Sequence, residues 1–172
     1  MILSNESIKS MLTTQFGEII TGWEEPYGML TFTVHRDQNL KLLNYLYDTP
    51  ELAFRFLTDL TGIHYPDRTG EEFCVVYHLH NLTEHVRIRM KIYTPVERPD
   101  VYTATGLFSG ANWMERETYD FYGINFSGHP QLKRILNMDE MVSFPMRKEF
   151  PMEDSGRTDK DDRFFGRTST NI

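Results

Sequence analysis

A strictly alternating stretch from Glu84 to Thr94 constrains the fold of this chain more than any other feature. Its apolar side chains are Val86, Ile88, Met90 and Ile92, and the residues between them are charged or polar. Alternation with a period of two indicates a β-strand with one dry and one wet face, which is typical of antiparallel sheets. We therefore predict that this strand forms a hairpin with the apolar stretch 73–81.

Helical periodicity is found on both sides of the predicted hairpin. Apolar residues spaced i, i+3, i+4 and i+8 predict a first helix that Asn5 caps and Gly17 ends. In the last predicted helix, with Ser109 or Asn112 as its cap, the core stripe would be Ala111, Met114, Thr118 and Phe121. The predicted helices cover residues 5–16, 37–47, 50–61 and 111–122, and an additional one-sided strand covers 30–34.

Regular periodicity fades after residue 124. The sequence therefore predicts an α+β domain over residues 1–124, with a mixed or antiparallel sheet and helices packed on one face. An extended irregular C-terminal segment, residues 125–172, follows it. A long segment with little secondary structure of its own is unusual in a compact domain. We therefore expect this segment to wrap a partner protein.

Composition excludes several classes of protein. The 172 residues include one cysteine, Cys74, so an intrachain disulfide or a cluster held by several thiolates is excluded. A net charge of −7 argues against non-specific nucleic-acid binding. The start lacks the pattern of a signal peptide, and no apolar run approaches the roughly 20 residues of a membrane span. We expect a soluble or peripheral protein, with no nucleic-acid partner.

Two groups of residues could carry chemistry. His78 and His80 share one face of a strand with His85 nearby, which is compatible with metal binding or with an ordinary solvated face. Glu115, Glu117 and Asp120 crowd one helix, where paired carboxylates could act as acid and base in a free-standing enzyme. The alternative is a structural network in which Arg116 and Asp120, spaced i, i+4, form an ordinary ion pair.

Two basic pairs lie in the C-terminal segment. Lys133 and Arg134 form one pair, and Arg147 and Lys148 form the other. They could bind acidic lipid or carboxylates of a partner, or simply be solvated. Arginine is suited to bidentate pairing across an interface.

Longer motifs carry a resemblance to a known family. The stretches are ANWMERETYDFYGI from 111, FSGHPQLKRIL from 126, PMRKEFP from 145 and DLTGIHYP from 59. Together they resemble the C-type subunit, also called the 30-kDa-type subunit, of proton-pumping NADH:quinone oxidoreductase (respiratory complex I). The motif positions, which we predict to lie at interfaces, are Trp113, Glu115, Arg116, Glu117, Asp120, Gly123, His129, Pro130, Arg134, Pro145, Arg147 and Lys148.

Three positions depart from the family pattern. A Trp and a Gly are usual shortly before the PMRK-type motif, where this chain has Met141 and Ser143. His64 replaces a residue that is commonly acidic. These changes concern local packing.

The resemblance implies a subunit without catalytic, cofactor or metal residues of its own. FMN, iron–sulfur clusters, NADH and quinone would be bound by other subunits. The chain would pack against the D-type (49-kDa-type) and B-type subunits in the peripheral arm, on the cytoplasmic side of a bacterial inner membrane, and would touch the membrane only through the complex. The complex couples electron transfer from NADH to quinone with proton translocation. The alternative is the related subunit of a membrane-bound hydrogenase or ferredoxin-linked complex.

Overall fold

The computed structural model describes residues 3–150. The elements in chain order are α1 (Asn5–Phe16), β1 (Ile20–Glu24), β2 (Leu30–Val34), α2 (Asn39–Asp48), β3 (Phe56–His64), β4 (Phe73–Asn81), β5 (Val86–Thr94), β6 (Asp100–Tyr102), α3 (Ala111–Tyr122) and β7 (Asn125–Ser127). Residues 128–150 contain neither helix nor strand.

The central sheet has five strands in the order β1-β2-β5-β4-β3. Strands β2 and β5 run parallel, and the other neighbours run antiparallel. The short strands β6 and β7 form a separate parallel pair. The sheet is therefore mixed, and the predicted α+β class is confirmed.

The predicted hairpin is the centre of this sheet. β4 and β5 pair from Phe73–Thr94 to Asn81–Val86 without a break in register. The apolar side chains of β5 join one buried cluster with residues of α1, α2 and α3. The helices therefore pack on one face of the sheet, the core face, as predicted. Arg87, Arg89 and Lys91 alternate with these core residues and point to the opposite face.

The predicted helix over residues 50–61 is wrong, because Phe56–His64 is strand β3. A β-bulge between Leu57 and Asp59 shifts the pairing with β4 by one residue. Leu57 and Leu60 consequently both point inward, and their spacing of three imitates a helical stripe. A bulge thus produces helical spacing within an extended strand.

Helix ends also differ from the predictions. α1 is capped by Ser4, whose side chain exchanges hydrogen bonds with Ser7 in a capping box, and Gly17 ends it as expected. α3 covers the predicted residues, but its N-cap is Gly110 without a side-chain cap. Its buried residues are Ala111, Glu115, Arg116, Thr118 and Asp120, so the predicted apolar stripe is only partly buried.

Residues 128–150 lie along α3 of the same chain. The Met146 N–H donates to the carbonyl of Phe121, and the rings of Tyr119 and Phe144 are 6.1 Å apart. The wrapping of a partner by residues 125–172 stays a prediction, and residues 151–172 lie outside the described part. None of the helices within residues 3–150 is both long enough and apolar enough to cross a bilayer.

Candidate protein interface

The helix α3 carries a charged cluster that the fold buries. Glu115 and Asp120 are fully buried, and Arg116 is nearly so. α3 lies against β3 at Gly62, where an added Cβ would be only 2.7 Å from Cδ2 of Tyr122. Because the helix approaches the sheet so closely, polar groups along its flanks lose water and need partners within the protein.

Glu115 ties α3 to the turn that follows β6. Its Oε2 accepts from Thr103 Oγ1 at 2.5 Å, and its Oε1 accepts from the Ala104 N–H at 2.6 Å. Burial raises the pKa of Glu115 to about 7, although both hydrogen bonds act in the opposite direction. The side chain is therefore poised between its charged and neutral forms near neutral pH.

Asp120 binds the segment that follows β7. We call the carboxylate and the groups that donate to it the Asp120 seat. Its Oδ2 accepts from three successive backbone N–H groups, those of Ile135, Leu136 and Asn137, at 2.8–3.0 Å. Its Oδ1 accepts from Arg134 Nη1 at 2.7 Å. Burial alone would raise the pKa of Asp120, but these hydrogen bonds outweigh it and hold the pKa well below its usual range. Asp120 is therefore ionised at neutral pH.

Arg134 completes the seat from the other side. Besides the Asp120 carboxylate, it donates to the backbone carbonyls of Asp120, Met141 and Ser143. Its guanidinium also lies 5.0 Å from the ring centre of Phe144. One arginine thus fixes the course of residues 134–144. Two of the three positions that depart from the family pattern, Met141 and Ser143, contribute backbone carbonyls, which any residue provides.

The predicted ion pair between Arg116 and Asp120 is wrong. Arg116 instead donates to the carbonyls of Lys133 at 3.1 Å and Arg134 at 3.0 Å, and its guanidinium lies 5.1 Å from the Trp113 ring. Within a helix, an acidic residue four positions before a basic one pairs better than the reverse order found here. Long helical side chains also lean toward the N-terminus, which directs Arg116 toward Trp113.

The structure does not bring every motif residue into this cluster. Glu117 is exposed, and so is Trp113 beyond its contact with Arg116. Within residues 3–150, the Glu117 side chain forms no hydrogen bond or ion pair with residues 133–143. The predicted three-carboxylate group is therefore two separate buried carboxylates and one at the surface.

A second anchor holds the PMRK stretch at the end of α3. Gly123 ends the helix with a φ of +75°, and a Cβ there would lie 2.6 Å from both Arg147 Nη2 and Phe144 Cε2. Arg147 Nε donates to the Tyr122 carbonyl at 2.7 Å, and its guanidinium lies 4.6 Å from the centre of the Phe144 ring. The glycine therefore provides both the left-handed turn and the space for Arg147.

His64 connects the same stretch to the sheet. Its Nδ1 accepts from the Lys148 N–H at 2.9 Å, and its ring lies 5.0 Å from that of Phe73. Burial lowers the pKa of His64, which favours the neutral form that can accept this bond. The Lys148 side chain itself is exposed, and Pro145 is half-buried.

His129 closes the turn that follows β7. Its Nδ1 accepts from the Gln131 N–H at 3.0 Å, so the proton is on Nε2, which donates to the Asn112 carbonyl at 3.1 Å. Pro130 is exposed beside it. The GHP motif thus joins the start of α3 to the segment that Asp120 seats.

His78 of β4 contacts two neighbouring charged side chains. His78 Nε2 accepts from Arg89 Nε at 2.8 Å, and its Nδ1 lies 3.5 Å from Asp59 Oδ2. Burial lowers the pKa of His78, and the Arg89 guanidinium lowers it further. No group of three or more His, Cys, Asp or Glu suited to a metal occurs among residues 3–150.

Some residues of the cluster carry no signal in the sequence. Thr103 belongs to a stretch without periodicity, and nothing in its neighbourhood marks it as a partner of Glu115. His64 stands out in the sequence only as a departure from the family pattern, and that departure coincides with its contact to Lys148.

Known proteins resemble this chain in sequence and in fold. Residues 32–156 match the family described as the respiratory-chain NADH dehydrogenase 30 Kd subunit. The chain belongs to this family. A relative in Methylorubrum populi, named as the C-type subunit of an NADH-quinone oxidoreductase, is 43% identical over 141 residues, which are 82% of this chain and 64% of the relative. Its counterpart of the same name in Mycolicibacterium gilvum is 42% identical over 72% of this chain and 54% of its own length. The chain thus spans about three fifths of the length of such relatives.

Two solved structures resemble the fold. A trypsin-resistant fragment of Nqo5 has 32% identity and a TM-score of 0.63, and the match covers 73% of this chain and 98% of the fragment. A chain of a membrane-bound sulfane sulfur reductase, an archaeal respiratory membrane complex, has a TM-score of 0.71 over 86% of this chain and 85% of its own. Its 23% identity indicates a shared fold alone.

Proposed function

We propose that this chain is a scaffold subunit in the peripheral arm of an NADH:quinone oxidoreductase. In this proposal it holds the D-type and B-type subunits, on the cytoplasmic side of the membrane. Electron transfer and proton translocation belong to the complex, and FMN, iron–sulfur clusters, NADH and quinone are bound by other subunits. The names of its relatives support the complex, and the surface described next supports the role of scaffold.

One observation carries the proposal. A run of large apolar side chains in residues 136–150 is exposed in the isolated chain, close to a helix whose Trp113 is also 61% exposed. We call these residues the apolar patch. Its members and their exposed fractions are Leu136 64%, Met138 75%, Val142 94% and Met146 53%. The four side chains lie within eleven consecutive residues, and apolar exposure concentrated in one segment marks a protein–protein or membrane contact.

The patch is displayed on a rigid base. Asp120 and Arg134 hold the backbone around Leu136, and Arg134 also holds the carbonyls on both sides of Val142. A fixed surface loses little conformational entropy when it binds, which raises its affinity for a partner. The buried charges of α3 therefore serve to position apolar side chains that the rest of residues 3–150 leaves exposed.

The test replaces patch residues in the assembled complex. Met138→Asp with Val142→Asp should abolish co-purification of the D-type subunit with this chain, because two charges would be buried unpaired in the contact. Leu82→Asp is the matched control, since Leu82 is 57% exposed on the β4–β5 turn. Native gels and NADH:quinone activity measure the outcome. Normal assembly of the double variant would contradict the proposal.

The competing hypothesis of a free-standing enzyme predicts a different result. Such a chain would turn over a substrate alone, and patch variants would leave that turnover unchanged. Co-purification distinguishes the proposed complex from the hydrogenase-type alternative. In the proposed complex, the tagged chain should bring NADH-oxidising subunits with it. The absence of those subunits from an otherwise intact complex would favour the hydrogenase-type alternative.

A further inference from the structure

Methionine is concentrated in the segment that carries the apolar patch. The chain has nine methionines, and four of them fall close together at Met138, Met141, Met146 and Met152. Among the methionines of residues 3–150, Met138 and Met146 are exposed, whereas Met90 is fully buried in the core and the others are half-buried. Two of the four patch members are therefore thioethers that solvent reaches.

The backbone beneath these two side chains is held in place by hydrogen bonds. The Met138 carbonyl accepts from the Met141 N–H at 3.1 Å, and the Met141 carbonyl accepts from Arg134. The Met146 N–H donates to the Phe121 carbonyl at 3.2 Å. Because these bonds use main-chain atoms of the methionines, a chemical change at either sulfur leaves them intact. Such a change alters the surface that the chain presents to a partner.

The thioether sulfur of methionine reacts with hydroperoxides. Hydrogen peroxide transfers one oxygen atom to the sulfur, so an S=O bond forms, the O–O bond breaks and water leaves. The sulfur loses two electrons, and the peroxide gains them. The product, methionine sulfoxide, is polar and disrupts methionine-rich contacts. Methionine sulfoxide reductases reverse the change with a dithiol, which becomes a disulfide while the oxygen leaves as water.

The single cysteine is shielded from the same oxidant. Cys74 is fully buried on β4, and burial raises the pKa of its thiol to about 11. The thiolate is the reactive form of cysteine, so a thiol that stays protonated near neutral pH reacts slowly. Met90 is equally out of reach in the core. Among the sulfur groups of residues 3–150, peroxide therefore selects the exposed methionines of the patch.

We propose that Met138 and Met146 form a reversible oxidation site that controls docking through the apolar patch. The inference rests on the proposed function, because it takes the patch as the contact with the D-type subunit. As thioethers, both side chains suit an apolar contact. As sulfoxides, each brings a polar oxygen into that contact, and burying a polar group without a hydrogen-bond partner is unfavourable. A chain oxidised before assembly is therefore excluded from the complex, whereas assembly protects the sulfurs of a chain already in place.

Peptide mass spectrometry first measures where oxygen is added. The full-length chain, free and in the assembled complex, is treated with millimolar hydrogen peroxide, with free methionine as an internal reference. The mass gain of one oxygen atom is followed at each methionine. In the free chain, we expect Met138 and Met146 to be oxidised about tenfold faster than Met90 or more. In the complex, the rates at Met138 and Met146 should fall by a similar factor.

Capture of the D-type subunit then measures docking. The tagged full-length chain is immobilised, treated with peroxide or left untreated, freed of peroxide with catalase, and mixed with an extract of host cells that lack this chain. Oxidation should lower the amount of captured D-type subunit severalfold, because the patch becomes polar. Methionine sulfoxide reductases A and B, which act on the two sulfoxide epimers, should restore the capture when a dithiol is supplied.

Variants separate these two methionines from the others. Met138→Leu with Met146→Leu removes both sulfurs and keeps the patch apolar at nearly constant volume. Each protein is compared with itself, as the ratio of treated to untreated capture, and this ratio should be close to one for the double variant. Met11→Leu with Met29→Leu is the matched control, because these half-buried methionines lie outside the patch. Its ratio should be as low as that of the parent.

Several outcomes would overturn the inference. They are complete oxidation at Met138 and Met146 without loss of capture, an equal loss of capture in the double leucine variant, and oxidation at these positions that is as slow as at Met90 or as fast in the complex as in the free chain. Failure of the untreated parent to capture the D-type subunit would instead overturn the proposed function, and the inference with it. The untreated sample therefore distinguishes the two failures.

Discussion

Glu115 and Asp120 lie five residues apart on one helix, and the fold gives them opposite acid strengths. Both are buried, but Glu115 accepts two hydrogen bonds whereas Asp120 accepts five. Burial dominates at Glu115 and raises its pKa to about 7, while the donors dominate at Asp120 and hold its pKa low. The number of donors aimed at a buried carboxylate thus decides its charge.

This difference predicts how stability depends on pH. The folded pKa of Glu115 is raised above an unfolded value near 4.3, so its contribution is most favourable below pH about 4 and is lost as pH rises to about 7. Glu115→Gln removes this dependence, since the amide is neutral throughout. The variant should gain stability relative to the parent between pH about 4.5 and about 8, by on the order of a few kcal/mol.

Urea unfolding of the parent and of Glu115→Gln at pH values of about 4.5, 6 and 8 measures the difference in their free energies of unfolding. Glu117→Gln is the control, because Glu117 is exposed two residues away on the same helix. That variant should follow the parent at every pH. A constant difference between Glu115→Gln and the parent at all three pH values would contradict the raised pKa.

At the scale of elements, β3 and α3 approach each other closely at Gly62. Gly62 lies beneath the helix, with Tyr122 Cδ2 at 2.7 Å and Thr118 Cγ2 at 3.1 Å from the position of a Cβ. A methyl group would have to displace two packed side chains of a helix that also holds the C-terminal segment. Glycine is therefore required here for close approach, and its backbone angles are not the reason.

Gly62→Ala should consequently destabilise the protein by roughly 1–3 kcal/mol, as overpacking does. Gly106→Ala is the matched control, because an added Cβ there has no neighbour within 4 Å and no positive φ is present. The control should be neutral or slightly stabilising. Thermal unfolding followed by circular dichroism measures both variants, and equal melting temperatures would refute the steric argument.

The elements also show what can be read from a sequence. The strand Val86–Thr94 is predictable because its alternation directly reflects one dry and one wet face. β3 imitates a helix because a bulge between Leu57 and Asp59 gives an extended strand a helical spacing. The Asp120 seat is hidden for a different reason. Its donors lie 14–17 residues further along the chain, in a segment without periodicity, whereas Arg116 lies nearby and suggests a local ion pair.

At the scale of the whole molecule, the chain has two unlike surfaces on opposite sides of one sheet. The helical side carries the apolar patch on residues 136–150, and the opposite face of the sheet carries charged side chains such as Arg87, Arg89 and Glu24. The core between them contains the side chains of all three helices. The exposed apolar side chains on the helical side agree with the scaffold role that we propose, because such a surface suits contact with a partner.

Arg116 tests whether the buried network serves assembly or catalysis. Arg116→Ala removes two hydrogen bonds to the carbonyls of Lys133 and Arg134, each worth about 1.5–3 kcal/mol because the donor is charged. Asp120 keeps its contact to Arg134. The loss should therefore loosen the base of the apolar patch without leaving a carboxylate unpaired.

We accordingly expect Arg116→Ala to reduce the amount of assembled complex severalfold, with the turnover of each assembled complex changed by less than about twofold. Native gels measure the first quantity, and NADH:quinone activity divided by assembled enzyme measures the second. Arg98→Ala is the control, because Arg98 forms an exposed pair with Asp100 that contributes little to stability. A catalytic network would behave in the opposite way. Full assembly with abolished turnover would overturn the scaffold role and make Glu115, with its pKa raised to about 7, a candidate proton carrier.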